Sequence, residues 1–380
     1  MERGLSILIV NYNGQRFLET CLHSCYAALQ AEALPHEILL LDNGSADDSL
    51  VLLTGLAEQI PTLRVFPEAK NHGFGQANNL LAQQARYATL ILLNNDTEVL
   101  SLAALARVFK AQANDAAPGA DHAAAAPDLA AGSTPAPPRA DYPAQSALPD
   151  PEPGSTRQPT PDRASSPAHN IYTCRLLNAD RSLQKNTFHY PRLFNVKVEL
   201  YLIKKPLFAL YSLLFKTRLE IPDGYYSGCF LVLPRQLFLT LGGFDPHFFF
   251  YHEECDLFLR MEKQGIQKAI LDDQIIHFGS GGSGISDFAF KNYYQNLARL
   301  LIKHGYGSSK AIKRLFKRGF AFRIALLRLG WRIPYSPFSH IYDANKASHQ
   351  RQQRQAVIAL HRETLAAILA LDLSEGAEAC

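Results

Sequence analysis

The sequence predicts an α/β protein with a mostly parallel central sheet that is flanked by helices and followed by a C-terminal helical extension. Two observations support this fold class. Short strands rich in Ile, Leu and Val alternate with helix-like stretches in the first part of the chain, and polar side chains recur where those strands end. Strands that alternate with helices form parallel sheets with both faces covered.

Four apolar runs have the length and composition of buried strands. They are Leu5–Val10, Glu37–Asp42, Leu63–Phe66 and Leu90–Asn94. Helix-like stretches connect them, namely Phe17–Leu29, Asp47–Gln59 and Gly75–Tyr87. Because parallel neighbours need a long crossover connection, this order predicts repeated strand–helix–strand units.

A change of composition interrupts the predicted domain. The segment Ala113–Ala168 holds 12 of the 22 prolines and contains no Ile, Val, Phe, Trp or Lys. It buries too little apolar surface to offset its ordering entropy, so we predict a disordered, tolerated insertion. Strand-like sequence resumes at Tyr172–Leu177. We therefore predict one domain over residues 1–305, interrupted at 113–168, and a basic amphipathic helical region over 306–380.

Composition narrows the classes of function. The 380 residues are 47% hydrophobic and 19% charged, as in a globular protein, and the formal net charge of +3 is too small to indicate a nucleic-acid partner. The six cysteines include no CxxC pair, which fits a reducing cytoplasm. No apolar run reaches the ~20 residues that a membrane-spanning helix needs. We expect a cytoplasmic protein, either free or peripheral on the inner face of the cell membrane.

Two later stretches, Lys197–Arg218 and Lys310–Arg332, interleave basic with apolar and aromatic residues. Basic amphipathic helices with aromatics suit an anionic membrane surface. The same pattern describes ordinary helices that pack on the domain and leave a cationic face in water. Periodicity alone leaves both interpretations open.

Polar side chains follow two of the predicted strands. Asp42 ends the second strand, and Asn94, Asn95 and Asp96 end the fourth. Acids at the carboxyl ends of neighbouring parallel strands can form a site for a cation and a phosphorylated ligand. This arrangement predicts the functional site at that edge of the sheet.

Several segments, taken in order, resemble the signatures of family 2 glycosyltransferases. In the first half they are Ser6–Asn13, Leu41–Asp47, Asn71–Asn79 and Leu93–Asp96. In the second half Gly242–Asp245, Phe249–Leu257, Arg260 and His277–Ser283 are similar to the rhamnosyltransferase-like branch. Each motif is weak alone, but the ordered set is specific and covers about Leu5 to His304.

The resemblance implies the GT-A nucleotide-diphospho-sugar transferase fold and inverting transfer of a sugar from dTDP-rhamnose or a UDP-sugar. The acceptor would be a hydroxyl of a cell-surface glycan or a lipid-linked glycan. The nucleotide sugar would contact Asn11, Tyr12, Asp42, Asn71, Gly73 and Asn95. Asp42 can accept the imide N–H of uracil or thymine, and the Tyr12 ring can stack on the base. Alternatively, Asp42 is a turn residue, because Asp-Asn-Gly-Ser is a strong turn sequence.

The resemblance also implies a divalent cation, Mn²⁺ or Mg²⁺. Asp96 matches the last acid of the family's Asp-x-Asp element, and His277 resembles a metal ligand of the second half. Asn94 replaces the first acid, and its neutral amide is a poorer ligand, so Asp96 must do more. The alternative for His277 is a hydrogen-bonded histidine after an edge strand.

Inverting transfer needs a base, and Glu254 takes the position of the family's catalytic Asp with one more methylene. Glu253 and Asp256 are the substitutes for that role. Asp256 also lies four residues before Arg260, a spacing typical of a structural ion pair on a helix. Acids that open a helix suit its dipole without any catalysis.

Two other functions compete with this interpretation. A degenerate GT-A domain that only binds a nucleotide or glycan is consistent with the departures at Asn94 and Glu254. A nicotinamide-dependent dehydrogenase shares the alternating pattern. It is disfavoured because the first strand leads into Asn11–Gly14 and not into a Gly-x-Gly-x-x-Gly turn.

Overall fold

The computed structural model describes residues 2–115, 170–201, 224–279, 287–329 and 351–371. Its backbone divides into one unit of residues 1–108 and 168–380 and a second of residues 109–167. The second unit consists of the end of one helix and of residues outside the described ranges. The insertion predicted over 113–168 lies outside the described residues from position 116 onward.

The first part of the chain follows the predicted order of elements. Its strands are β1 (Glu2–Asn11), β2 (His36–Asn43), β3 (Leu63–Glu68), β4 (Tyr87–Asn94) and β5 (Thr97–Val99). Its helices are α1 (Gln15–Ala31), α2 (Ser49–Gln59), α3 (Gly73–Gln84) and α4 (Ala103–Asp115). The predicted strands and helices are confirmed, but the third helix ends at Gln84, and Tyr87, which was predicted to end it, begins β4. The strands extend beyond their apolar runs because only the buried centre of a strand is visible in sequence.

The second part adds further strands and a group of helices. The strands are β6 (Asn170–Leu177), β7 (Thr187–His189), β8 (Gly224–Tyr226), β9 (Phe230–Pro234) and β10 (Gln267–His277). The helices are α5 (Leu193–Leu200), α6 (Arg235–Thr240), α7 (Glu253–Glu262), α8 (Asp287–Lys303), α9 (Ser309–Arg328) and α10 (Arg351–Leu369). β6 confirms that strand sequence resumes after the insertion.

Eight of the described strands form one sheet in the order β3-β2-β1-β4-β9-β6-β10-β5. β1 pairs in parallel with β2 and β4, β2 with β3, and β10 with β6. β9 runs antiparallel to β4 and β6, and β5 runs antiparallel to β10. The sheet is mostly parallel, which confirms the predicted α/β class.

The helices α5, α8, α9 and α10 share a second hydrophobic core. Phe316 and Phe320 of α9 are fully buried there, and the Gly319 backbone lies against Leu200 of α5. The two phenylalanines belong to the stretch that suggested a membrane interface, yet they pack against protein. The exposed basic residues of α9 are Lys310, Arg314, Lys317, Arg318 and Arg328. Most of the other basic stretch lies outside the described residues.

No helix within the described ranges is both long enough and apolar enough to cross a bilayer.

A buried ionic cluster joins α7 to α8. The Asp256 carboxylate is fully buried and lies 2.8 Å from Arg260 Nη2, 2.7 Å from Lys303 Nζ and 2.8 Å from His304 Nε2. The same Lys303 Nζ lies 2.7 Å from Asp245 Oδ2. Burial raises the pKa of Asp245, but hydrogen bonds from Lys303 and His247 outweigh it and lower the pKa to about 2. The cluster ties the loop around Asp245 and the beginning of α7 to the end of α8.

We predict that Asp245→Asn lowers the free energy of unfolding at pH 7 by about 2 kcal/mol. The folded-state pKa of about 2 lies below the ordinary 3.8. This stabilisation is therefore present above pH ~4 and is lost as the pH falls toward 2, with roughly half remaining at pH ~3. Urea unfolding of the wild type and of Asp245→Asn at pH 7 and at pH ~3 measures this stabilisation.

The control is Asp272→Asn, which removes an exposed pair with Arg175. Exposed pairs contribute at most about 1 kcal/mol. An Asp245→Asn effect that is no larger than the control, or that does not shrink in acid, would contradict the assigned ionic role.

Candidate functional site

The carboxyl ends of three neighbouring strands bring predicted site residues together. The register places Asn11 of β1 opposite Asp42 of β2, and Val10 opposite Asn94 of β4. Asn11 Nδ2 donates to Asp42 Oδ1 at 2.8 Å, and Asn95 Nδ2 donates to Asn11 Oδ1 at 2.7 Å. Asp42, Asn11 and Asn95 thus form one hydrogen-bonded row, called the strand-end row below.

Asp42 is fully buried and closes a turn. Its Oδ1 accepts hydrogen bonds from Asn11 and from Ser45 Oγ, and its Oδ2 accepts from Ser45 N at 3.1 Å. The turn role that the sequence offered as an alternative is present. Three of the about four acceptor positions of this carboxylate are filled from within the protein, and the binding role stays a prediction. The neighbouring Tyr12 side chain is 51% exposed, as a stacking platform requires.

Asn43 connects the end of β2 to the beginning of α3. Its Oδ1 accepts from His72 N at 2.8 Å, and its Nδ2 donates to Asn71 Oδ1 at 3.0 Å. The same Asn71 oxygen accepts from Gly73 N. Gly73 has a φ of +78°, and a Cβ there would collide with the Phe249 carbonyl, so the position requires glycine. Asn71 and Gly73 thus shape the entry to a helix N-terminus, which suits phosphate.

Asp96 and His277 face each other across the β5–β10 pair. His277 pairs with Thr97, next to Asp96. His277 Nε2 lies 3.3 Å from Asp96 Oδ1, and the side chains are 19% and 13% exposed. Burial lowers the pKa of His277, but Cys229 and the Asp96 carboxylate raise it, and the resulting pKa is about 10. The two side chains lie within ion-pairing distance and are called the Asp96–His277 pair below.

The donor atoms of the Asp96–His277 pair fit a divalent cation. Carboxylate oxygen and imidazole nitrogen both bind Mn²⁺, and neighbouring ligands in an octahedral site with bonds of about 2.1 Å lie about 3 Å apart. The observed separation is close to this value, and the Asn94 amide lies 3.4 Å from the same nitrogen. Among the described residues no group of three or more His, Cys, Asp or Glu could hold a metal. A bound diphosphate and water would have to supply the other ligands.

Two adjacent carboxylates open α7 in different surroundings. Glu253 is 3% exposed, and its Oε2 has no hydrogen-bond partner among the residues that the structure describes. Glu254 is half-buried, and its Oε1 accepts from Gly228 N at 3.2 Å. Burial raises the pKa of both groups, the Glu254 charge raises that of Glu253 further, and the Gly228 N–H lowers that of Glu254. The Gly228 N–H stabilises the charged form of Glu254, whereas Glu253 Oε2 accepts no hydrogen bond from the described residues.

The segment Gly228–Cys229 contacts both the acids and the Asp96–His277 pair. Gly228 donates to Glu254, the Cys229 carbonyl accepts from Asn94 N at 2.9 Å, and the Cys229 thiol interacts with His277. Glu254 and the Asp96–His277 pair therefore contact two adjacent residues, Gly228 and Cys229.

The backbone before the acids is strained and is held by α8. Tyr251 and His252 have φ values of +70° and +71°. The buried Asn296 of α8 donates to the carbonyls of Phe250 and Tyr251, and the His252 ring lies 4.8 Å from that of Tyr293. Non-glycine residues persist in this conformation only where the surroundings impose it. The helix α8 therefore fixes the direction in which the acids point.

Asp256, the third candidate acid, is enclosed by the ionic cluster. Its carboxylate is fully buried against Arg260, Lys303 and His304. A base must reach the acceptor hydroxyl, and these surroundings leave Asp256 no such access. The structure thus favours the ion-pair role over the catalytic one.

Sequence reasoning missed four residues that shape the site. Asn43 belongs to the turn sequence Asp-Asn-Gly-Ser, which accounts for an asparagine there without any role in the site. Gly228 belongs to no sequence motif. Asn296 lies on an ordinary helix face. Gln184 Oε1 lies 2.6 Å from His277 Nδ1, although no motif marks this glutamine. Each acts through a contact between residues distant in sequence, which a local pattern does not encode.

Comparison with known proteins identifies the family of the first part of the chain. Residues 6–135 match the family model described as Glycosyl transferase family 2. The predicted family is thereby confirmed for residues 6–135, and with the mostly parallel sheet so is the predicted GT-A fold. The rhamnosyltransferase-like branch stays a prediction.

A curated relative matches over only a short part of its length, and the solved structures match at low sequence identity. An undecaprenyl-phosphate 4-deoxy-4-formamido-L-arabinose transferase of Serratia proteamaculans (strain 568) is 37% identical over 80 residues, or 21% of this chain and 24% of that protein. The mannosyltransferase PcManGT from Pyrobaculum calidifontis, in complex with GDP-Man and Mn²⁺, has a TM-score of 0.47 at 12% identity, covering 97% and 86% of the chains. S. aureus TarS 1-349 with UDP-GlcNAc has a TM-score of 0.44 at 9% identity, covering 95% and 81%. The chain spans about a quarter of the curated relative that it matches.

Proposed function

We propose that this chain, whose residues 6–135 carry the sequence of glycosyl transferase family 2, is an inverting, metal-dependent glycosyltransferase. It would move a sugar from a nucleoside-diphosphate donor to a hydroxyl acceptor. The proposal rests on one observation, namely that the candidate site residues lie at the same edge of the sheet. The strand-end row, the Asp96–His277 pair and Glu254 lie there, joined by direct hydrogen bonds and by the segment Gly228–Cys229.

In this proposal Asp96 and His277 hold the divalent cation, which supplies positive charge to the leaving diphosphate when bound. The imidazole ligand favours Mn²⁺ over Mg²⁺. The N-terminus of α3 adds positive potential on the phosphate side. Tyr12 and the strand-end row receive the nucleoside.

Glu254 is the general base. Its Oε1 accepts from Gly228 N–H, which stabilises the charged form that a base requires, whereas the buried Glu253 Oε2 accepts no hydrogen bond from the described residues. Glu254 takes the proton of the acceptor hydroxyl as that oxygen bonds to the anomeric carbon and the bond from that carbon to the diphosphate breaks. Attack from the face opposite the leaving group inverts the anomeric centre.

The donor that we propose is dTDP-rhamnose or a UDP-sugar, and the acceptor is a hydroxyl of a cell-surface or lipid-linked glycan. The name of the curated relative includes undecaprenyl phosphate, which supports an acceptor carried on a lipid. The competing function is a nucleotide- or glycan-binding domain without turnover, which the departures at Asn94 and Glu254 favour.

We expect UDP or dTDP with Mn²⁺ to raise the melting temperature, because a ligand at 100 times its Kd adds about 2.7 kcal/mol to the folded state. Differential scanning fluorimetry with UDP, dTDP, GDP and CDP, each with and without Mn²⁺, measures this. Asp96→Ala should abolish the metal-dependent part, whereas the surface control Asp272→Asn should keep it. A folded protein that responds to no nucleotide would favour the glycan-binding alternative.

Two isosteric substitutions distinguish the catalytic role proposed for Glu254 from the structural role of Asp256. Glu254→Gln should lower kcat about 10²–10⁴-fold and leave the melting temperature nearly unchanged. Asp256→Asn should lower the free energy of unfolding by about 3–5 kcal/mol, because three cationic groups lose their buried partner. Initial rates with sugar donors of the nucleotide that raises the melting temperature, together with urea unfolding, test both. The reverse result, a stable but inactive Asp256→Asn and an active Glu254→Gln, would move the base to Asp256.

We also propose that the basic face of α9 attracts the protein to an anionic membrane surface. The sequence of α9 contains seven Lys or Arg residues and no acid, and five of the seven are exposed. Because its apolar face is buried in the protein, this attraction would be electrostatic and not insertion of the helix.

Replacing Arg314, Lys317 and Arg318 with Gln should weaken vesicle binding roughly 100-fold, at about 1 kcal/mol per charge. Flotation with vesicles containing phosphatidylserine measures it, and high salt should abolish it in the wild type. Lys263→Gln, an exposed charge on another element, is the control. Equal binding of the triple variant and the control would refute the role of α9.

A further inference from the structure

We infer that Gln184 is a positioning residue that orients the His277 ring for metal binding. The inference rests on the metal-dependent function proposed above. Gln184 Oε1 lies 2.6 Å from His277 Nδ1, on the ring nitrogen that does not face Asp96. Gln184 would thus act on the cation only through His277.

The other contacts of Gln184 decide which end of its amide faces the ring. Its Nε2 lies 2.9 Å from Asn178 Oδ1 and 3.2 Å from the His277 backbone carbonyl. The His277 backbone carbonyl can only accept a hydrogen bond, so the NH₂ group of Gln184 must face it. The Gln184 Oε1 must therefore face His277 Nδ1. An oxygen there requires a donor, and Nδ1 therefore carries the proton. Nε2 is left to face Asp96 and a cation.

A closed turn after β6 holds Gln184 in place. Asn178 N donates to the Ser182 carbonyl and Gln184 N donates to the Leu176 carbonyl, both at 2.8 Å. Asp180 Oδ1 accepts from Ser182 N at 3.0 Å. β6 pairs with β10 as far as Leu177 opposite Ile276, so the turn starts beside His277. The support of Gln184 is thus built into the sheet.

This arrangement has a defined consequence for metal affinity. Nδ1 keeps its proton both in the ion pair and when Nε2 binds a metal, so the hydrogen bond to Gln184 is the same in both states. It holds the ring plane so that Nε2 points toward Asp96. Removing such a partner of a ligand histidine lowers metal affinity or activity about 10–100-fold.

The test is a Mn²⁺ titration of the full chain followed by electron paramagnetic resonance, alone and with each of UDP, dTDP, GDP and CDP. Gln184→Met, which keeps the length but removes the acceptor, should weaken Mn²⁺ binding about 10–100-fold. Gln184→Glu keeps an acceptor for the same proton but loses the two N–H contacts, so it should bind Mn²⁺ more tightly than Gln184→Met and no more tightly than the wild type. Asn178→Ala removes the side-chain contacts of Asn178 with Gln184 and with Ser182 but leaves the Gln184 oxygen on His277, and it should change affinity less than ~3-fold.

Three results would count against the inference in distinguishable ways. Unchanged affinity in Gln184→Met, while Asp96→Ala abolishes binding, would overturn it and leave the proposed function intact. Equal loss in Gln184→Met and Asn178→Ala would reduce Gln184 to a structural part of the turn. Absence of Mn²⁺ binding in the wild type would remove the metal dependence of the proposed function itself. Should Gln184→Met fail to fold, Gln184→Ala removes the same acceptor and should show the same weakening.

Discussion

The site depends on the in-register parallel pairing of β1 with β2 and β4. A slip of one residue would turn Asn11 or Asp42 to the opposite face of the sheet and break the strand-end row. All eight residues of β2 are buried, so both faces of this strand oppose a slip. The apolar runs therefore do more than form a core, because their burial sets the position of each polar residue that follows them.

The acid side of the site is held by a different kind of interaction. Asp256 and Asp245 share Lys303, and Asn296 holds two carbonyls of the strained segment before α7. Replacing a buried ion pair with apolar residues is often harmless to stability, whereas removing one partner is not. We therefore interpret the ionic cluster as a device that fixes where α7 begins, and thereby where Glu254 points.

Local patterns predicted the first four strands and the first three helices, because each is written in a continuous run of residues. The i, i+4 spacing predicted the pairing of Asp256 with Arg260, but nothing local indicated Lys303 or His304. Likewise, the periodicity of α9 gave an apolar face without showing that protein covers it. Gln184 was missed for the same reason, since its partner His277 is brought near only by the pairing of β6 with β10.

The departure at Glu254 can be judged from its surroundings. Glu is one methylene longer than the Asp that the family pattern has, and the longer side chain needs room. Gly228 provides it, because a Cβ at this position would lie 2.9 Å from Glu254 Oε1. The same glycine donates its N–H to that oxygen and so favours the charged form that a base requires. Gly228 thus gives Glu254 both the room and the hydrogen bond that the proposed base requires.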